Sequence, residues 1–289
     1  MRRFVLLLLL LLTPFAFAQV DFNVATYNLR YDNPKDGKNV WPDRRDAMRA
    51  LVRYHGFDLW GTQEGLENQL ADLDTLNEYA RVGVGRDDGK QAGEHSAIFY
   101  RRERFALEDH GDFWLSATPD KPSMGWDARC CKRLVTWAKL RDKPSGQVFV
   151  VLNAHFDHEG VVARRESARL LVERSRTLAG KMPLIVLGDF NSTPDSEVVA
   201  TISAALRDAR AISQTPAYGP LETFNDFDIS KPAQERIDYV FLSQQWQVLR
   251  YAVLTDSMEA RYPSDHFPVV TRLRLPILIP GLNASGATD

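Results

Sequence analysis

The stretch Leu184–Ser196, LIVLGDFNSTPDS, carries the pattern on which the fold turns. Its apolar opening, Leu184 to Leu187, suits a buried strand bounded by turn residues. Asp189 and Asn191 then fall at the strand end, as an Asx turn or as site residues. Thr193-Pro194 comes next, a hydroxyl cap with proline at the first helical position, so a third helix is expected to begin there. Strand, polar end and helix in succession describe one α/β unit.

The same pattern recurs along the chain. Strands are expected at Phe22–Asn28, Asp58–Glu64, Ser96–Arg101, Leu134–Leu140, Val148–His155, Leu184–Asp189, Ile237–Ser243 and Phe267–Leu273. Helices are expected from Pro42 to His55, stopped by Gly56, and from Val162 to Ala179, closed by Gly180. Strands outnumber what a doubly wound sheet needs, so two packed sheets covered by helices are the expected architecture.

Unusual polar residues gather at the strand ends: Asn28, Glu64, His155, Asp189 with Asn191, Asp238, and the pair Asp265-His266. Each alone has a structural explanation as a turn or cap residue. Together they converge on one sheet edge, where ligands commonly sit. Hard oxygen donors such as Asn28, Glu64, Asn191 and Asp265 suit Mg²⁺, Mn²⁺ or Ca²⁺, whereas zinc sites carry more His or Cys. His155 and His266 fit acid–base work, with Glu94 and Asp238 as the carboxylates available to orient them.

Outside this set the sequence sets limits. MRRFVLLLLLLLTPFAFA, residues 1–18, has two arginines, an apolar run and a small-x-small end, so a cleaved secretory signal is expected, and with it a secreted or periplasmic protein. The run Phe4–Leu12 is far short of the ~20 residues that span a bilayer, so no membrane anchor is expected after cleavage. No linker or fixed-period repeat divides the rest of the chain, so one domain is expected over residues 19–276, with a tail at 277–289 and a monomeric state. Losing Arg2 and Arg3 takes the formal charge from −2 to −4, which disfavours a general nucleic-acid binder. Two adjacent cysteines, Cys130 and Cys131, exclude a disulfide scaffold and are read as a pair of thiols.

The words ATYNLR (25–30), GTQEG (61–65), NAHFDH (153–158), GDFNSTPDS (188–196), RIDYVF (236–241) and YPSDHFPV (262–269) resemble, in order, the motifs of the endonuclease/exonuclease/phosphatase superfamily, which includes deoxyribonuclease I. The resemblance runs from about residue 22 to 273. It implies a four-layer α/β/β/α sandwich with two packed, mainly antiparallel sheets. It implies Glu64 as principal metal ligand, supported by Asn28 and Asp265, with Mg²⁺, Mn²⁺ or Ca²⁺ as cofactor. His155 would contact the scissile phosphate, steadied by Glu94; Asp189 and Asn191 would position water and phosphate; Asp238 and His266 would form the carboxylate–histidine pair. The family divides the base role between residues of the His266 and Asp189 types.

The inositol-polyphosphate branch is disfavoured, because only PSDHFPV stands where a PSWTDR-like segment is expected. Words such as NLRYDNPKDGKNVWPDRR are more similar to compact bacterial secreted members. The expected function is metal-assisted attack of water on a small-molecule or lipid phosphoester. The alternatives are an extracytoplasmic nuclease on DNA or RNA and a non-catalytic binding module. Arg44, Arg45, Arg133, Arg164 and Arg165 offer donors to phosphate, and Trp41 and Trp126 offer stacking surfaces, although helix arginines also read as solvated faces. Asp157 and His158 read either as a further contact or as a local turn.

Overall fold

The computed structural model describes residues 21–275. The expected signal at 1–18 and tail at 277–289 lie outside the described residues. In chain order the elements are β1 (Asp21–Asn28), α1 (Trp41–Tyr54), β2 (Leu59–Gln63), α2 (Glu67–Asp74), β3 (Tyr79–Val82), β4 (Ile98–Arg101), β5 (Phe105–Trp114), β6 (Leu134–Asp142) and β7 (Val148–His155). They continue with α3 (Val161–Ala179), β8 (Leu184–Asp189), α4 (Glu197–Ser203), β9 (Arg207–Asp208), β10 (Asp238–Leu242), β11 (Gln247–Val253) and β12 (Val269–Arg274).

The strands form two sheets of six, ordered β11-β12-β1-β2-β4-β3 and β5-β6-β7-β8-β10-β9. Each sheet has one parallel pair, β1–β2 or β7–β8, and is otherwise antiparallel. A parallel pair needs a crossover, and α1 and α3 supply it. With the helices outside and the sheets face to face, the chain is the expected four-layer sandwich of mainly antiparallel sheets.

Period-two alternation explains which residues fill which layer. In β8, Ile185 and Leu187 pack between the sheets, while Leu184 and Val186 pack under α3 and α4. In β1, Phe22 and Val24 face the other sheet, and Ala25 and Tyr27 face α1. In β7, Phe149 and Val151 alternate with Val150 and Leu152 in the same way. Burial on both faces is why these strands read as apolar runs rather than alternating ones. Traced to the strand ends, the alternation puts Asn28, His155, Asp189 and Asp238 on the intersheet side.

Three expectations are corrected. The third helix begins at Glu197, not Thr193: the Ser196 hydroxyl accepts from the Val199 amide at 3.2 Å, while Thr193 donates to Asp195 inside the preceding turn. Strands β3, β5, β9 and β11 and helix α2 were not expected; the middle of β5 is half-exposed and polar, and α2 has eight residues. Cys130 and Cys131 are not thiols but a disulfide, with Cα atoms 3.7 Å apart at a bend that turns both side chains toward each other.

Candidate active site

Strand register brings the catalytic candidates into one row. His155 of β7 lies beside Asp189 of β8, and Asp189 beside Asp238 of β10. From the facing sheet, Asn28 closes the row: its amide nitrogen donates to Glu64 Oε1 at 3.1 Å and to Asp189 Oδ2 at 3.0 Å. The segment leading into β12 adds Asp265 and His266. These ends surround a cavity of about 740 Å³ whose wall includes Glu64, Glu94, His155, Asp189, Asn191, Asp265 and His266. Asn28 and Asp238 stand behind that wall.

Backbone conformation aims the end residues. Glu64 and Asn191 both adopt left-handed φ, 62° and 46°, just past their strands. Glu64 Oε2 accepts from the Tyr31 amide at 3.1 Å. Asp189 makes the Asx turn, its Oδ1 accepting from the Asn191 backbone N–H at 2.9 Å, and the Asn191 side chain donates to Phe156 O at 3.0 Å. Gly188 lets β8 approach β7 here: a Cβ on it would lie 2.0 Å from Ala154 O, and its φ is 146°.

The two histidines sit in opposite electrostatic surroundings. His266 Nδ1 is 2.9 Å from Asp238 Oδ2. Burial alone would depress its pKa, but the Asp238 charge and hydrogen bond, with Asp189 and Asp265 beyond, push it up to about 10, so the ring is an imidazolium at neutral pH. His155 is held well below the usual range by burial and by the guanidinium groups of Arg133 and Arg86, so its ring is neutral. Between them lies Asp189, with Oδ2 3.6 Å from His155 Nε2 and 3.9 Å from His266 Nε2. Burial and the Asp238 charge raise its carboxyl to about 7.

Asp265 is raised to about 6, first by burial, with the facing Glu64 charge also pushing it upward. A cation between the two would relieve this repulsion, and two carboxylates make a hard-oxygen donor set, so these residues fit Mg²⁺, Mn²⁺ or Ca²⁺. Asp189, Asp238 and His266 form a second close group, with ligand atoms within 4.8 Å of one another. Asn28, expected to support the metal side, shares its nitrogen between Glu64 and Asp189, and its oxygen accepts from the Arg30 amide at 2.9 Å, so it bridges the two carboxylates.

Glu94 differs from expectation. It lies 3.8 Å from His155 Nδ1, beyond hydrogen-bond reach, and its carboxylate goes to Arg86 at 2.6 Å. The Arg133 guanidinium takes the place beside the ring, 3.0 Å from Nδ1, and reaches His158 Nδ1 at 2.8 Å. Burial and Glu64 raise the Glu94 carboxyl to about 7.

Of the residues singled out for substrate contact, Arg133 and His158 line the cavity and the others do not. Arg44 is buried and donates to the carbonyls of Asn39, Leu29, Pro263 and Arg30, tying α1 to the ends of β1 and β12. Arg45 pairs with Asp72, and Trp41 is buried and donates to Asp72. Trp126 is exposed but away from the cavity, and Arg164 and Arg165 line a neighbouring groove. Asp157 makes the local turn, accepting from the amides of Glu159 and Gly160. Arg30, Arg86, Phe224, Phe227 and the Cys130–Cys131 disulfide also line the cavity. Arg30 and Arg86 stand inside the words ATYNLR and VGRDDGK, but nothing in a single sequence separates them from ordinary surface arginines.

A family model described as the endonuclease/exonuclease/phosphatase family matches residues 25–266. Among solved structures, a family protein from Bacteroides thetaiotaomicron is 42% identical, with a TM-score of 0.86 covering 89% of this chain and 99% of that one. A mannosyl-6-phosphatase from the same organism is also 42% identical, with a TM-score of 0.84 over 87% of this chain and 99% of that one. The human Nocturnin catalytic domain with bound sulfate anion, at 19% identity and a TM-score of 0.70, covers 92% of this chain and 100% of that one and shares the fold. The chain spans between 16% and 59% of the length of the curated relatives it matches.

Proposed function

Because this chain belongs to the endonuclease/exonuclease/phosphatase family, whose members hydrolyse phosphoesters, we propose that it is a divalent-metal-dependent phosphatase acting on a small sugar phosphate. The observation that carries the reading is Asp189, a buried carboxylate held between a neutral and a charged histidine beside the Glu64–Asp265 pair. The 42% likeness to a mannosyl-6-phosphatase over nearly that whole chain supports a sugar monoester. The leader-like residues 1–18 support a secreted or periplasmic location, and residues 19–276 are proposed as one catalytic domain acting as a monomer.

Titratable groups whose surroundings push them apart divide the acid and base roles. Asp189 takes the proton from the attacking water: its carboxyl, raised to about 7, ionises near neutral pH and stays basic enough to accept. His266, already protonated, donates to a phosphoryl oxygen and holds the charge that develops there, while the P–O bond to the sugar breaks and the departing sugar oxygen takes up the proton that Asp189 removed from water. Asp238 keeps that imidazolium charged and oriented. His155 and Arg133 present hydrogen-bond donors from the opposite side, and Asn28 fixes the spacing of Glu64 and Asp189. Glu64 and Asp265 would hold a cation, which would supply positive charge toward the phosphoryl oxygens and acidify water.

The test is a substrate panel with Mg²⁺, Mn²⁺ and Ca²⁺: hexose 6-phosphates, nucleotides, phospholipids, plasmid DNA and RNA. Phosphate release from a hexose 6-phosphate should outrank the rest. Rapid nucleic-acid degradation with inert sugar phosphates would establish the nuclease alternative instead.

A further inference from the structure

The cavity of about 740 Å³ is much larger than a phosphoryl group needs and lies within the range of pockets that enclose a whole small molecule. Most of its wall is polar or charged, which sets apart the two phenyl rings on it, Phe224 and Phe227. Both are half-buried, so part of each ring stays open to the cavity. They belong to the segment between β9 and β10, which runs alongside the approach to β12. Phe224 forms a β-bridge with His266, and the amides of Asn225 and Asp226 donate to Asp265 O at 2.7 and 3.2 Å. The Phe224 ring meets the His266 ring edge-on, with centroids 5.2 Å apart. This segment therefore stands beside the place assigned to the phosphoryl group.

Phe227 is held there in a strained conformation. It and Asp226 are consecutive residues with left-handed φ, 57° and 51°, a region that aspartate tolerates and a bulky side chain rarely enters. The Phe227 amide donates to Asn225 Oδ1 at 2.9 Å, and the buried Asn225 side chain donates to Ser264 O at 3.2 Å. The guanidinium of buried Arg44, itself fixed by four carbonyls, lies over the Phe227 ring, 5.2 Å from its centroid. Such strain persists only where the surroundings over-determine it, and it gathers at ligand clamps. On the same cavity wall, Asp226 and Glu235 are exposed, and neither carboxylate forms a hydrogen bond or ion pair among the described residues. Two free carboxylates repel a second phosphate, which disfavours a polynucleotide or a polyphosphate on this side. They accept well from hydroxyl groups, and a phenyl ring receives an apolar C–H face. An uncharged hexose ring offers both.

Resting on the sugar phosphatase reading, we infer that Phe227 and Asp226 are specificity-determining residues: the phenyl ring receives the C–H face of the hexose, and the Asp226 carboxylate accepts from its hydroxyl groups. The phosphoryl group stays with Asp189 and His266.

The experiment measures kcat/KM of the Mg²⁺-loaded protein on a hexose 6-phosphate, on glycerol 3-phosphate, which offers a monoester without a ring, and on nucleoside 5′-monophosphates. The native protein should prefer the hexose ester. Phe227→Leu should cut its preference over glycerol 3-phosphate by about tenfold, mainly through the KM of the hexose ester, whereas Phe227→Tyr should keep that preference within about twofold. Asp226→Asn, a change at an exposed side chain, should cut it by about threefold. Urea midpoints of all three variants separate lost contacts from lost folding. A preference unchanged in both Phe227→Leu and Asp226→Asn would overturn the assignment while leaving the sugar phosphatase reading intact. A loss confined to nucleoside monophosphates would make the ring a base platform and overturn the assignment to a sugar. Phosphate release from glycerol 3-phosphate but from no hexose phosphate would overturn both readings.

Discussion

Asp189 is the residue on which the chemistry converges, since its Oδ2 is within 4 Å of both histidines and accepts from Asn28. Asp189→Asn should lower kcat by about a thousandfold or more, because an amide keeps the volume but cannot take a proton and can accept from only one of Asn28 and Asn191. His266→Ala should lower turnover as well, but as a lost phosphate contact, so KM should rise with it. Stopped-flow phosphate release with circular dichroism as a folding control measures both; an Asp189→Asn protein with near-normal kcat would return the base role to His266. The members of this site were legible in the sequence because strand ends placed carboxylate, amide and imidazole groups together. Their pairings were not. Glu94 goes to Arg86, and Arg133, 22 positions before His155 in the chain, takes the place beside the ring. Such choices depend on how side chains from separate strands meet in three dimensions, which no local pattern records.

Elements fix that geometry through close packing rather than through loop contacts. Gly188→Ala places a Cβ against the Ala154 carbonyl where β7 and β8 run parallel, in a backbone conformation that also strains any L side chain. It should destabilise the fold by about 3 kcal/mol or more, the range of severe core lesions, and lower activity by moving His155 relative to Asp189. Urea denaturation with a parallel activity assay measures this, and an unchanged midpoint would contradict the packing account. The sequence showed β7 and β8 with their observed ends because both are buried runs stopped by turn residues. It missed β5, whose polar centre resembles a loop, and misplaced the start of α4, because Thr193-Pro194 and Ser196 offer competing caps and the three-dimensional turn selects Ser196. Arg44 was read as a phosphate donor on a helix face, yet three of its four backbone acceptors, Leu29, Arg30 and Pro263, come from segments outside its helix and the loop just before it.

The whole molecule responds to pH and to cations through its buried groups. His95 is buried with its Nδ1 3.1 Å from Gly65 O, and burial lowers its pKa below the usual 6.5. A histidine depressed in the folded state binds its proton more readily when unfolded, so its contribution is full above about 6.5 and is lost as pH falls through that value toward the folded pKa. His95's own contribution should therefore fall between about pH 7.5 and 5.5, against the opposite slope of the raised carboxyls of Asp189, Glu94 and Asp265, and His95→Gln should remove it; identical pH slopes for the two proteins in urea titrations would exclude His95 as a contributor. Cation dependence is the larger claim, because the sandwich brings Glu64 from one sheet edge and Asp265 from the approach to another strand to within mutual electrostatic influence. The direct measurement is phosphate release from the best substrate of the panel, titrated with Mg²⁺ from a chelated start, for the native protein and Glu64→Gln. Turnover should be absent in excess chelator and return saturably with Mg²⁺, and Glu64→Gln should need about tenfold or more cation for half-activity, because the amide keeps the volume and loses the charge. Full turnover in chelator, or the same Mg²⁺ midpoint for both proteins, would contradict the account.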